Sequence, residues 1–129
     1  MPTPPRLTRS VPVLHVADVQ AAAEFFRRTL GFSIDFLHGT PPFYGSVSRD
    51  EARVHLKFVH APVLTIGEHD RDGFISAFIE VESVDALFAE YEAAGVVFDQ
   101  RLVTQPWGGR DFIVRAPDGN GIAFVGATA

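Results

Sequence analysis

Between Val19 and Leu30 the apolar residues Val19, Ala22, Ala23, Phe26 and Leu30 recur at intervals of three and four, the spacing that lines one side of a helix. Asp18 stands where a side-chain oxygen can cap the first turn, and Gly31 where a left-handed residue can end the last. Around this helix the pattern changes to alternation. Val11–Ala17 before it, and Phe32–Leu37, Phe43–Arg49 and Arg53–Val59 after it, read as strands, with His38–Pro42 as a loop and Asp50–Glu51 as a turn. Pro12 confines the first strand to a sheet edge or an exchanged position, because proline cannot donate to a ladder. Met1–Arg9 is Pro-rich and reads as a loose arm.

The same order then recurs. After a polar loop, Gly67–Gly73, come a strand Phe74–Val81 and a helix capped by Ser83, with the stripe Val84, Leu87, Phe88, Tyr91 and Ala94 and with Gly95 at its end. Val97–Val103, Gly109–Arg115 and Ile122–Val125 follow as strands, the last two joined through Pro117-Asp118-Gly119-Asn120-Gly121, a hairpin turn by its Gly and Asn content. Val16, Val19, Ala21 and Phe26 have counterparts in Val81, Val84, Ala86 and Tyr91, an offset of about 65 residues. The pattern predicts one α+β domain over residues 1–129, made of two βαβββ modules at about 11–62 and 74–126. Either module alone would expose one face of its sheet, so the two are expected to pair into a curved mixed sheet with the helices outside.

Alternation also assigns the faces. Val54, Leu56 and Phe58 suit the helix side, which turns His55 and Lys57 to the concave side. By the same argument Ile75, Ala77, Ile79 and Val81 pack, while Ser76, Phe78 and Glu80 look inward; Ile122 and Phe124 pack, while Ala123 and Val125 look inward. Val11, Val13 and His15 line the inner side of the first strand. Divalent catalytic centres generally take three protein ligands and keep an open position. The inner surface offers His15, His55 and Glu80 at scattered depths beside a repelling Lys57, so neither metal nor cofactor is expected.

Composition narrows the function further. With 129 residues and 47% hydrophobic content the chain fits one domain. It has no cysteine, which excludes disulfide frameworks, thiolate zinc sites and Cys nucleophiles. A net charge of −5 with a single lysine, Lys57, argues against nucleic acid as a partner. Nine acids from Glu68 to Asp99 share their stretch with one arginine, Arg71, a field that could draw a cationic small molecule. The first residues lack a signal-peptide core and no run reaches membrane-spanning length, so a cytoplasmic protein without membrane partners is expected. No Gly-rich phosphate loop leads from a strand into a helix, and no serine has a nucleophile-elbow context.

What remains is a concave aromatic surface rimmed by acids, chemistry suited to a flat cationic molecule. Phe36, Phe43, Phe78 and the only tryptophan, Trp107, are the candidate walls, and Asp35 and Glu80 the candidate carboxylates.

With the duplication, the stretch VPVLHVADVQAAAEFFRRTLGFSIDF at the front and QPWGGRDFIVRAPDGNGIAFV at the back, the chain resembles the vicinal-oxygen-chelate superfamily, and within it the bleomycin-resistance, or bleomycin-binding, proteins. The resemblance runs from about residue 10 onwards. It implies a homodimer with two equivalent clefts, in which the first strand crosses to the other subunit and Pro12 matches a proline near its start. It carries Asp35 and Phe36 over from the family's drug-reaching Asp-Phe pair, Phe43 from an aromatic after the following loop, and Trp107 from the QPWG motif. Phe78 stands where relatives place a tryptophan, with Glu80 next on the same face. His60 matches a histidine that some members carry close to the ligand. The superfamily's enzymes hold a divalent metal at positions that correspond here to Val11, His55, Ser76 and Ala123, of which one could bind a metal. The function implied is sequestration of a bleomycin-type glycopeptide without bond making or breaking; the alternative is a metal-dependent glyoxalase-like lyase or extradiol dioxygenase.

Overall fold

The computed structural model describes residues 3–61 and 75–127. Its elements follow the order β1 Val13–Val16, α1 Val19–Arg28, β2 Ser33–His38, β3 Tyr44–Arg49, β4 Ala52–Phe58, then β5 Ala77–Glu80, α2 Val84–Ala93, β6 Phe98–Thr104, β7 Gly109–Arg115 and β8 Gly121–Ala127. Each half of the chain is thus a βαβββ unit. Phe74 and the polar loop with His69 lie outside the described residues.

Each unit closes its own four-stranded sheet, in the orders β1-β4-β3-β2 and β5-β8-β7-β6. The first strand of each pairs in parallel with the last, and the remaining pairs are antiparallel, so both sheets are mixed. β1 begins after Pro12, whose carbonyl accepts from the His55 amide at 2.9 Å. A missing N–H does no harm at this edge. β1 pairs here with β4 of its own chain, an arrangement different from the crossed strand that the resemblance implies.

Helix α1 starts and stops as its sequence dictates. The Asp18 side chain accepts from the Ala21 amide at 3.0 Å, and Gly31 takes φ +78° after the last turn. Val19, Ala22, Ala23, Phe26 and Leu30 are all buried. In α2, Ser83 occupies the cap position but its side chain makes no capping bond. That end carries Asp85 in its first turn instead, where a negative charge suits the exposed amides. Val84 and Tyr91 are buried, Leu87 and Phe88 half-buried, and Ala94 is exposed.

One core serves both units, with Leu14, Val47, Val54 and Leu56 on one side and Ala77, Phe112, Ile122 and Phe124 on the other. A few polar links tie the halves together. The Arg49 guanidinium donates to the Leu30 carbonyl at 3.0 Å and to both oxygens of Glu90 at 2.7 and 3.0 Å, and the Tyr91 hydroxyl donates to the same carbonyl at 2.7 Å. Buried Asn120 reaches the His15 carbonyl at 3.2 Å while accepting from Ser76 Oγ at 2.7 Å. No helix among the described residues is long and apolar enough to cross a membrane.

Candidate functional site

Helices α1 and α2 cover one side of each sheet and leave the other side open. Phe36, Phe43, Phe78 and Trp107 are 46, 52, 61 and 76% exposed.

On the first sheet, strand register puts Val13, His55 and Ser46 in one row and His15, Lys57 and Tyr44 in the next. Phe36 extends the first row and His38 the second. The register of β2 slips between Ile34 and Phe36, so the chain bulges at Asp35. Asp35 and Phe36 consequently lie on the same face. The Asp35 carboxylate accepts from Ser46 Oγ at 2.7 Å and Ser48 Oγ at 2.6 Å, with Arg53 Nε at 3.8 Å. Desolvation opposes ionisation of Asp35, but these hydroxyls, together with the charges of Arg53 and His55, outweigh it and hold its pKa below the ordinary 3.8. A depressed folded-state pKa stabilises above the ordinary value, and that contribution is lost as pH falls through the folded value. Asp35→Asn is therefore expected to cost about 1 kcal/mol at neutral pH, with the gap to the parent closing below about pH 4. Urea unfolding across pH 3 to 7 measures it, and a gap independent of pH would contradict the assignment.

Next to the bulge the aromatics support one another. Phe36 stacks on Tyr44 at 6.5 Å and 15°, and His55 stands edge-on to both, its Nδ1 2.8 Å from the Tyr44 hydroxyl. At the loop end, Phe43 packs edge-on to His38 at 5.2 Å. Phe43 needs Gly39: at φ +101° a Cβ there would stand 2.4 Å from the Phe43 ring. Gly39→Ala is expected to lose about 1 kcal/mol through the backbone conformation alone and to push Phe43 off the rim. An unshifted Phe43 side-chain signal in the NMR spectrum of the variant would count against it.

On the second sheet one row runs Glu80, Val125, Asp111, Val103 and the next Phe78, Ala123, Ile113, Gln100. Trp107 sits in the β6–β7 turn, after Gln105, whose amide and carbonyl both bond within the turn. Its indole lies against Gly109: a Cβ on Gly109 would meet Trp107 Nε1 at 3.4 Å and Val125 Cγ2 at 3.6 Å. Since Val125 belongs to the concave rows, so does the indole.

The expected residues thus form two groups. Asp35 and Phe36 lie on the first sheet with Phe43 in the loop just before β3, while Phe78 and Glu80 lie on the second with Trp107 in its β6–β7 turn. No hydrogen bond, ion pair or ring contact joins the groups among the described residues. His60 joins neither; its ring packs edge-on to Phe58 at 4.9 Å, a side chain of the helix side. Tyr44, Gln100, Gln105 and Asp111 are additional surface residues. Strand alternation through Tyr44, Ser46 and Ser48 is the signal that could have identified the first of them. A groove of about 680 Å³ lies between the β3–β4 turn and α2, lined by residues including Arg49, Glu51, Ser83 and Glu90, and of the expected residues only Glu80 borders it.

The four positions that correspond to a metal centre do not suit one. His55 is engaged by Tyr44, Ser76 donates to Asn120, Ala123 has no donor, and Val11 has none either. Among the described residues no three His, Asp or Glu side chains come together in a metal-holding group.

Residues 10–124 match the model of the family described as the glyoxalase/bleomycin resistance protein/dioxygenase superfamily. The chain is 31% identical to a bleomycin resistance protein of Geobacillus stearothermophilus, over 92% of this chain and 96% of that one. In structure it is similar to the bleomycin-binding protein of bleomycin-producing Streptomyces verticillus, crystallised with copper(II)-bleomycin, at a TM-score of 0.76 and 31% identity over 96% of this chain and 98% of that one. A glyoxalase-related enzyme from Clostridium phytofermentans has the same fold at a TM-score of 0.74 and 20% identity, covering 95 and 97% of the two chains.

Proposed function

Because the chain belongs to the glyoxalase/bleomycin resistance protein/dioxygenase superfamily, we propose that it binds a bleomycin-type glycopeptide, or a similar flat cationic molecule, and sequesters it unchanged. The observation that carries this reading is the set of four exposed aromatics, Phe36 and Phe78 on the sheets and Phe43 and Trp107 in the segments that adjoin them. Large apolar side chains concentrated on one kind of face mark a surface that something covers. Their ring faces offer stacking to a planar ligand, and Glu80 beside them offers charge to a cationic one. Asp35 serves the same surface by fixing the bulge from which Phe36 projects.

One chain leaves each cleft half built. A homodimer supplies the rest if the first sheet of one copy faces the second sheet of the other. His15 and Lys57 on the first would then oppose Glu80 and Asp111 on the second, which favours that pairing over like against like. Two equivalent clefts result, each with Phe36 and Phe43 on one wall and Phe78 and Trp107 on the other. Holding the drug in the cytoplasm keeps it from DNA, and nothing in that task calls for a catalyst. The donor-poor inner surface weighs against the metal-dependent lyase or dioxygenase that the same fold accommodates.

The test is calorimetric titration with metal-free bleomycin, together with metal analysis of the purified protein and recovery of the drug afterwards. Saturable binding at micromolar concentration or tighter, two sites per dimer, and unaltered recovered drug are expected. Stoichiometric bound metal with no drug binding, or a modified drug, would replace sequestration with catalysis.

A further inference from the structure

The concave faces carry four carboxylates, and they differ in what already answers their charge. Asp35 has Arg53 at 3.8 Å and two hydroxyls. Asp99, on the matching bulge of the second unit, has Arg115 at 2.7 Å. Asp111 and Glu80 have no ion-pair partner among the described residues. Asp111 differs from Glu80 in being held: its Oδ1 accepts from Gln100 Nε2 at 2.6 Å and Gln105 Nε2 at 3.0 Å. Two neutral amides thus orient the carboxylate without cancelling its charge, and among the described residues Oδ2 takes no hydrogen bond. The neighbouring cation, Arg110, points to the helix side, onto Asp85 at 2.6 Å.

Asp111 also sits beside the best stacking surface. It lies two residues along β7 from Gly109, on which the Trp107 indole rests, a rise of about 7 Å. Glu80 lies in the same row two strands away, at roughly 10 Å, with Val125 between them. From this geometry we infer that Asp111 is the carboxylate that selects for positive charge, receiving the cationic group of an aromatic ligand whose ring lies on Trp107. The inference rests on the binding reading above and assigns charge recognition within it to Asp111, where Asp35 is the carboxylate that family resemblance selects.

Trp107 is the only tryptophan, so its fluorescence reports on this wall alone. The test titrates the intact protein at pH 7.5 with N-methylacridinium, a flat permanent cation, and with neutral acridine, following Trp107 quenching. The parent is expected to prefer the cation by about tenfold, and Asp111→Asn, which keeps an oxygen acceptor for both glutamines, to lose that preference while retaining acridine binding. Glu92→Gln, which removes the same charge from the exposed face of α2, is expected to keep it. A preference that survives in Asp111→Asn, that vanishes in Glu92→Gln, or that the parent never shows overturns the inference. Bleomycin titrated in parallel separates the two readings. Failure to bind bleomycin with the cation preference intact sinks the choice of drug but leaves Asp111 in its role.

Discussion

Replacing Trp107 by alanine is expected to weaken metal-free bleomycin binding about a hundredfold, the cost of removing an aromatic wall worth roughly 2–3 kcal/mol. The same change should leave stability within about 0.5 kcal/mol of the parent, because the side chain is 76% exposed and rests on a glycine rather than filling a cavity. The pair of measurements discriminates between roles. Calorimetry gives the affinity, and urea unfolding followed by circular dichroism gives the stability. Unchanged affinity would remove Trp107 from the ligand wall, whereas a large fall in stability would make it a structural plug.

Tyr91→Ala is expected to have the opposite signature, a loss of about 3–5 kcal/mol of stability from a large cavity. Tyr91 is fully buried and its ring packs edge-on to Phe112 at 6.0 Å and to Phe124 at 5.4 Å. Burial raises its pKa despite the nearby Arg49, so the hydroxyl stays protonated and can donate to Leu30. Tyr91→Phe isolates that hydrogen bond. The Leu30 carbonyl keeps its bond from Arg49, so it is not left without a donor, and the loss should stay at about 0.5–1 kcal/mol. The urea midpoints of the two variants give both figures. A loss in Tyr91→Phe as large as in Tyr91→Ala would mean that the hydroxyl, not the packing, carries the link between the halves.

The fold was legible in the chain because its punctuation is strong. Gly109 opens β7 and the Ala116-Pro117 step closes it, and the expected strand, Gly109–Arg115, is the observed one. Gly31 and Gly95 mark both helix ends with positive φ. Boundaries moved where a backbone group decides them: β1 starts after Pro12, and the amide that Ser83 would cap is left to the field of Asp85. The site was less legible because it depends on register. Strict alternation would send Asp35 and Phe36 to opposite faces, and only the pairing of β2 with β3 reveals the slip that unites them. Tyr44 reaches His55 across a hairpin, eleven residues away, a partnership that no local pattern contains. For His60 the period itself held the answer, since it continues the parity of Phe58 rather than that of Lys57. Asp111 stood in view within QPWGGRDF, but its two glutamine partners come together only when the turn and β6 fold over it.

The bulges at Asp35 and Asp99 mark the same point in two copies of one unit, yet two serine hydroxyls hold the first, with Arg53 only at 3.8 Å, and the Arg115 guanidinium holds the second directly at 2.7 Å. Divergence after duplication has erased the equivalence of the halves. In the proposed dimer a cleft walled by one of each would have no internal two-fold axis, so a lopsided guest is expected to enter it in a single orientation, head and tail told apart before any contact tightens.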